Sequence, residues 1–74
     1  MTIITDAKTL KEIGKRLKEI RERKNLSQEE ASKACKISVT YFAEVERGER
    51  NLGVTKVKSI CKGLNITSSQ LLAF

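Results

Sequence analysis

Apolar residues recur at helical spacing along most of this chain. Leu10, Ile13, Leu17 and Ile20 lie three and four apart and form one stripe, which predicts a helix from about Ala7 to Lys24. Its other faces carry Lys8, Lys11, Lys15, Arg16, Lys18, Arg21 and Arg23, with Glu12 four before Arg16 and Glu19 four before Arg23. Asn25 follows and suits the left-handed turn that ends a helix. A second helix opens at Ser27, where Ser27-Gln28-Glu29-Glu30 fits a capping box. Its inward positions are expected to be Ala31, Ala34 and Cys35, and it stops near Cys35 or Lys36. Ile37 and Ser38 open a third helix with Ser38 as N-cap and Phe42 and Val45 on one face; Glu46-Arg47-Gly48 ends it. A polar loop, Glu49-Arg50-Asn51, leads to a fourth helix over Val54 to Leu64, with Val54, Val57, Ile60, Cys61 and Leu64 as its buried stripe. Thr67-Ser68-Ser69-Gln70 is a further capping box, starting a short fifth helix that carries Leu71, Leu72 and Phe74. The pattern is all-α, with residues 1–6 as a disordered lead.

At 74 residues the chain has room for one domain, spanning residues 1–74. A domain of this size buries only roughly 60% of its unfolded surface, so a partner subunit would add stability. Proline and tryptophan are absent and only three residues are aromatic, which favours helices over strands. The formal charge of +6 attracts polyanions such as nucleic acid or anionic lipid. With no histidine and only Cys35 and Cys61, the chain offers no zinc ligand set and no disulfide framework. Both cysteines read as small hydrophobes in helical patterns. No metal, cofactor or catalytic residue is expected, since no Gly-rich phosphate loop and no activated nucleophile is present. Nothing approaches a spanning apolar segment or a secretory leader, so the expected location is the cytoplasm. Membrane-surface binding by the first helix is disfavoured, because its apolar stripe is needed for the core.

The informative stretch is Leu26 to Gly48, LSQEEASKACKISVTYFAEVERG. Two short helices are joined by about three residues and the second is followed by Gly, the layout of a helix-turn-helix over about residues 27–47. Leu26-Ser27-Gln28-Glu29-Glu30, Ile37-Ser38, Tyr41 and Val45-Glu46-Arg47-Gly48 resemble the Cro and phage-repressor (XRE-like) helix-turn-helix family. VERGERN, Val45 to Asn51, and the following LGVTKVKSICKGLNI are most similar to the controller proteins of restriction-modification systems. The resemblance implies a five-helix, lambda-repressor-like DNA-binding domain. The chain departs from the family where Leu-Ala is usual and Ala31-Ser32 stands, and where Gly is usual at the turn and Lys36 stands. A left-handed Lys36 costs roughly 1–2 kcal/mol, so the turn is either rebuilt or strained. Val39 stands where a basic or polar residue often opens the recognition helix.

Val39, Thr40, Ala43 and Glu44 fall on the outward face of the third helix and are the candidate base contacts. Val39 and the Thr40 methyl suit a thymine methyl, and Glu44 suits cytosine N4, provided its charge finds a base or an Arg partner. Candidate phosphate contacts are Gln28 at a helix N-terminus, Ser38, Tyr41 by its hydroxyl, and Arg47, Arg50 and Asn51, the last three implied by the resemblance. Arg16 or Lys18 would add only non-specific attraction.

One recognition helix reads few base pairs, whereas two on a two-fold axis read half-sites about one turn, ~34 Å, apart. Leu71, Leu72 and Phe74 either close the monomer core or form a symmetric interface, and the resemblance places the interface there. The expected function is a homodimeric regulator of transcription on a palindromic double-stranded DNA operator, with RNA polymerase as a further partner. The alternative is an antitoxin-type module that binds a toxin as well as DNA.

Overall fold

The structure, a computed structural model, describes residues 3–72. Five helices form: α1 (Ala7–Arg23), α2 (Gln28–Cys35), α3 (Val39–Glu46), α4 (Val54–Leu64) and α5 (Ser68–Leu72). Two short strands, β1 (Ile3–Ile4) and β2 (Leu52–Gly53), pair antiparallel with Ile3 opposite Gly53 and Ile4 opposite Leu52. β1 corrects the expectation of a disordered lead at Ile3 and Ile4. Ile4 packs against the core, and Leu52, between the polar loop and α4, is almost fully buried. Those two side chains hold their backbones side by side.

The helix boundaries follow from local chemistry. Asp6, Ser27, Ser38 and Thr67 each accept a hydrogen bond from the amide three residues on. The Ser27 and Thr67 amides donate in turn to Glu30 Oε1 and Gln70 Oε1, closing the expected capping boxes. Hydrogen bonding holds the Asp6 and Glu30 carboxyls below their ordinary range. That stabilisation is present above the unfolded carboxylate pKa and fades as pH falls through the lower folded values.

Four helices stop in one way. Asn25, Lys36, Gly48 and Asn65 have φ of 57°, 58°, 74° and 56°, and each begins a reversal in which the next amide reaches back into the last helical turn. The amides of Leu26, Ile37, Glu49 and Ile66 bond the carbonyls of Arg21, Ser32, Glu44 and Cys61. Three of these four following residues, Leu26, Ile37 and Ile66, are apolar and pack against the core, so each stop also directs the chain inward. Lys36 takes the strained alternative: the turn is not rebuilt.

The core runs from Leu10, Ile13, Leu17 and Ile20 of α1 through Ala31, Cys35, Phe42 and Val45 to Leu52, Val57, Ile60, Leu64 and Leu71. Three sequence expectations fail at its edge. Ala34 is exposed and Ser32 buried instead, its hydroxyl donating to the Glu29 carbonyl. Val54 is 44% exposed, because α4 only begins there. Leu71 is fully buried in the chain's own core and has no surface left for a partner, which removes it from the expected dimer interface. Phe74 lies outside the described residues. Cys35 is buried, donates to the Ile60 carbonyl at 3.7 Å, and is pushed up to about 11 by burial; Cys61 is half-buried and pushed up for the same reason. Neither is a thiolate at neutral pH.

Two close helix approaches depend on missing side chains. A β-carbon at Gly14 of α1 would collide with the Val45 and Glu46 carbonyls of α3, and one at Gly63 of α4 with Ala34 and Cys35 of α2. Gly14→Ala should therefore lower stability by about 1–3 kcal/mol, read as a fall in Tm, whereas Gly53→Ala, with open space around it, should not. Equal melting of both variants would refute the close approach. Lys36→Gly should raise stability by about 0.5–1 kcal/mol by relieving the left-handed lysine, measured by urea unfolding; a loss would show the turn to be unstrained.

Candidate nucleic-acid interface

The α2-turn-α3 unit is held at its far ends by one polar network. Arg21 Nε, near the end of α1, donates to Glu46 Oε2 at the end of α3 at 2.7 Å, and Arg21 Nη1 donates to the Leu26 carbonyl at 2.9 Å. Gln28 Nε2, at the start of α2, donates to Glu46 Oε1 at 2.9 Å. The Arg21 and Glu46 side chains are 11% and 4% exposed. Glu46 pushes the Arg21 guanidinium further up. Three helix ends thus meet on one carboxylate. Gln28, expected to face phosphate, has one amide hydrogen committed to this network and one left over.

With its C-terminal end held at Glu46, α3 turns Phe42 and Val45 inward to full burial. Val39 is 40% exposed, Thr40 is exposed, and Ala43 and Glu44 are half-buried. These four candidates therefore share the side of α3 away from the core. Ser38 is exposed, and its hydroxyl accepts the Tyr41 amide.

A charged cluster borders this face. Arg50 Nε donates to Glu44 Oε1 at 3.0 Å, so Glu44 has the Arg partner its charge requires. The same guanidinium lies 5.1 Å from the centre of the Tyr41 ring, and Lys56 Nζ lies 5.3 Å from it. Burial raises the Tyr41 phenol and Arg50 opposes that shift. Tyr41, Glu44 and Arg50 are thereby brought together. Arg47 is exposed and pairs with Glu49 at 3.0 Å, outside this cluster, and Asn51 is exposed between it and β2. Lys56 and Arg21 were missed as site residues. Arg21 follows Gly14 and Leu17 along the edge of the apolar stripe, which is the one local sign that it points inward. Lys56 gave no sign, because its partner is in another helix.

The geometry matches a known family. The helix-turn-helix family HTH_3 matches residues 17–71. The control protein C.BamHI of Bacillus amyloliquefaciens is 34% identical over 62 residues, covering 82% of this chain and 76% of its own. The control protein C.MunI of a Mycoplasma species is 36% identical over 61 residues, covering 81% and 82%. Among solved structures, the restriction-modification controller protein C.AhdI from Aeromonas hydrophila superposes with a TM-score of 0.81 at 34% identity, covering 84% of this chain and 94% of that one.

Breaking the polar network should be costly. Glu46→Ala strands Arg21 in a site only 11% exposed and is expected to cost about 3 kcal/mol, while the double variant Arg21→Met/Glu46→Leu recovers most of it. A double-mutant cycle with additive losses would show that the two side chains act independently.

Proposed function

The chain belongs to the HTH_3 helix-turn-helix family of DNA-binding transcription regulators, and from that premise we propose that it acts as a homodimer on a two-fold symmetric operator, as a restriction-modification controller. The observation that carries this reading is the outer row of α3, turned away from the core on a helix whose C-terminal end is held by Arg21 and Gln28. In this reading α3 enters the major groove. Val39 and the Thr40 methyl meet thymine methyls, and Ala43 lets the helix approach closely. Glu44 either accepts from a cytosine or keeps Arg50 in place. Gln28, Ser38, Tyr41, Arg47, Arg50 and Asn51 fix the register on phosphates, with Lys56 added beside Tyr41. The relatives' names support the controller reading over the antitoxin one. RNA polymerase as a partner and a cytoplasmic location belong to the same proposal; among the described residues no helix is long and apolar enough to cross a membrane.

The dimer face is revised by the burial of Leu71. Leu72 lines an apolar groove of about 380 Å³ with Ile4, Leu52, Val54 and Val57, bordered by Lys58 and Ser68, and Ile3, next in the chain to Ile4, is 56% exposed. This face of β1, α4 and α5 is where a second copy fits.

Selection from random duplex DNA should return a two-fold motif with half-sites about one turn apart. Thr40→Ala should relax preference at one position per half-site, at a cost of about 1 kcal/mol, while Arg50→Ala should weaken all sites alike and, because Glu44 already pairs with it, flatten the salt slope by less than the value of about 1 for a free cation. A folded protein that enriches no motif would remove the regulator reading. Val54→Glu or Leu72→Glu should convert the dimer to a monomer in sedimentation; a dimer that persists in both would place the interface elsewhere.

A further inference from the structure

We propose that the face where the end of α2 packs on α4 is a second phosphate-binding surface, one that follows the DNA backbone beyond the bases read by α3. The proposal rests on the DNA-binding reading above, but on different residues. Thr55, Lys58, Ser59 and Lys62 repeat along α4 at intervals of three and four, so they share one side of the helix. They line a shallow depression of about 610 Å³. Ser59 and Lys62 also line the neighbouring one, of about 420 Å³, with Lys36 at the end of α2. The two hollows share Ser59 and Lys62, and every charged residue lining them is a lysine.

Charge placement points the same way. Close to α3, the arginines are largely neutralised within the chain: Arg21 by Glu46, Arg47 by Glu49 and Arg50 by Glu44. The surplus positive charge must therefore lie elsewhere. From Arg50 to Phe74 the chain has four cations, Arg50, Lys56, Lys58 and Lys62, and no Asp or Glu. No carboxylate on α4 can quench its lysines. The surface is polar and cationic with hydroxyls interleaved, which suits phosphate oxygens, and Lys58 marks its border with the apolar groove of the dimer face.

Lys36 adds an independent observation. Of the four left-handed helix stops, three use Asn or Gly, which adopt that conformation with little strain; the fourth uses lysine. A strained residue kept in place is explained if its side chain has a task. Here the task is charge at the rim of the hollow, two residues before the N-cap of the reading helix. In the proposed complex the strip continues from there along the backbone past the groove that α3 enters.

The test is a salt titration of binding with a triple variant, Lys36→Asn, Lys58→Gln and Lys62→Gln. All three positions are exposed, and Asn tolerates the left-handed turn. The control removes the same charge from α1 by Lys8→Gln, Lys11→Gln and Lys15→Gln, which are also exposed. Each protein is titrated on a selected operator trimmed to its motif, on the same operator with about one helical turn of added duplex on each side, and on a random duplex of that longer length. On both longer duplexes the strip variant should bind roughly 10- to 100-fold more weakly than wild type at ~0.1 M salt, with a salt slope smaller by about 2–3. On the trimmed operator it should match wild type, and the control variant should lose less everywhere. An unchanged slope on longer duplex, or equal loss in the control, overturns the proposal and leaves the strip to an acidic protein surface. If wild type shows no motif but the strip variant still loses slope on random duplex, the base-reading proposal fails and this one stands.

Discussion

Arg21 and Glu46 stand 25 positions apart in the chain, yet their 2.7 Å salt bridge ties the end of α1 to the end of α3. Gln28 brings the start of α2 to the same carboxylate, and the Leu26 carbonyl takes a further guanidinium hydrogen. A carboxylate 4% exposed is expensive to desolvate, and only this set of donors offsets the cost. The network therefore forms only when all three helix ends are in place. Its consequence reaches the interface. The angle of α3 against α2 is what any groove-reading helix must keep, and the polar network fixes it where apolar packing alone tolerates sliding. Gly14 is the steric counterpart, since α1 and α3 must touch backbone to backbone for the pair to meet.

Most of the fold was legible because it is written locally. Capping boxes at Ser27 and Thr67 and the stops at Asn25 and Gly48 are decided within four residues, so the helix starts and ends could be read from the chain. The stripe of α1 was equally plain. Errors arose where a tertiary neighbour decides. Ala34 and Ser32 exchange places because the neighbours packed on α2 decide which of its residues are covered, and Val54, the first residue of α4, is left 44% exposed. The Ile3–Ile4 pairing was invisible, for a two-residue strand has no periodicity to detect.

The candidate site was legible in outline and not in its electrostatics. The outward position of Val39, Thr40, Ala43 and Glu44 follows from Phe42 and Val45 being inward, which helical geometry dictates. That Arg50 returns to Glu44 across six residues, or that Lys56 reaches the Tyr41 ring from α4, depends on the loop and on helix placement. No spacing rule carries that information. The difference matters chemically. A sequence reader counts Arg47 and Arg50 as free cations, while the folded chain has already matched each with a carboxylate.

That matching divides the work of binding. A paired arginine can still donate to phosphate through its remaining hydrogens, but it brings less net charge, so it contributes direction more than attraction. Exposed pairs such as Arg47–Glu49 are worth little to stability and can open at little cost when a phosphate competes. Long-range attraction then has to come from lysines outside these pairs, and those of α4 share their helix with no carboxylate. Such a separation has a physical merit. Cations crowded around the reading helix would bind any duplex tightly and mask the few kcal/mol by which one base is preferred over another. Placing the attraction to one side, and keeping the face of α3 close to neutral, lets contact with the bases decide where the protein rests.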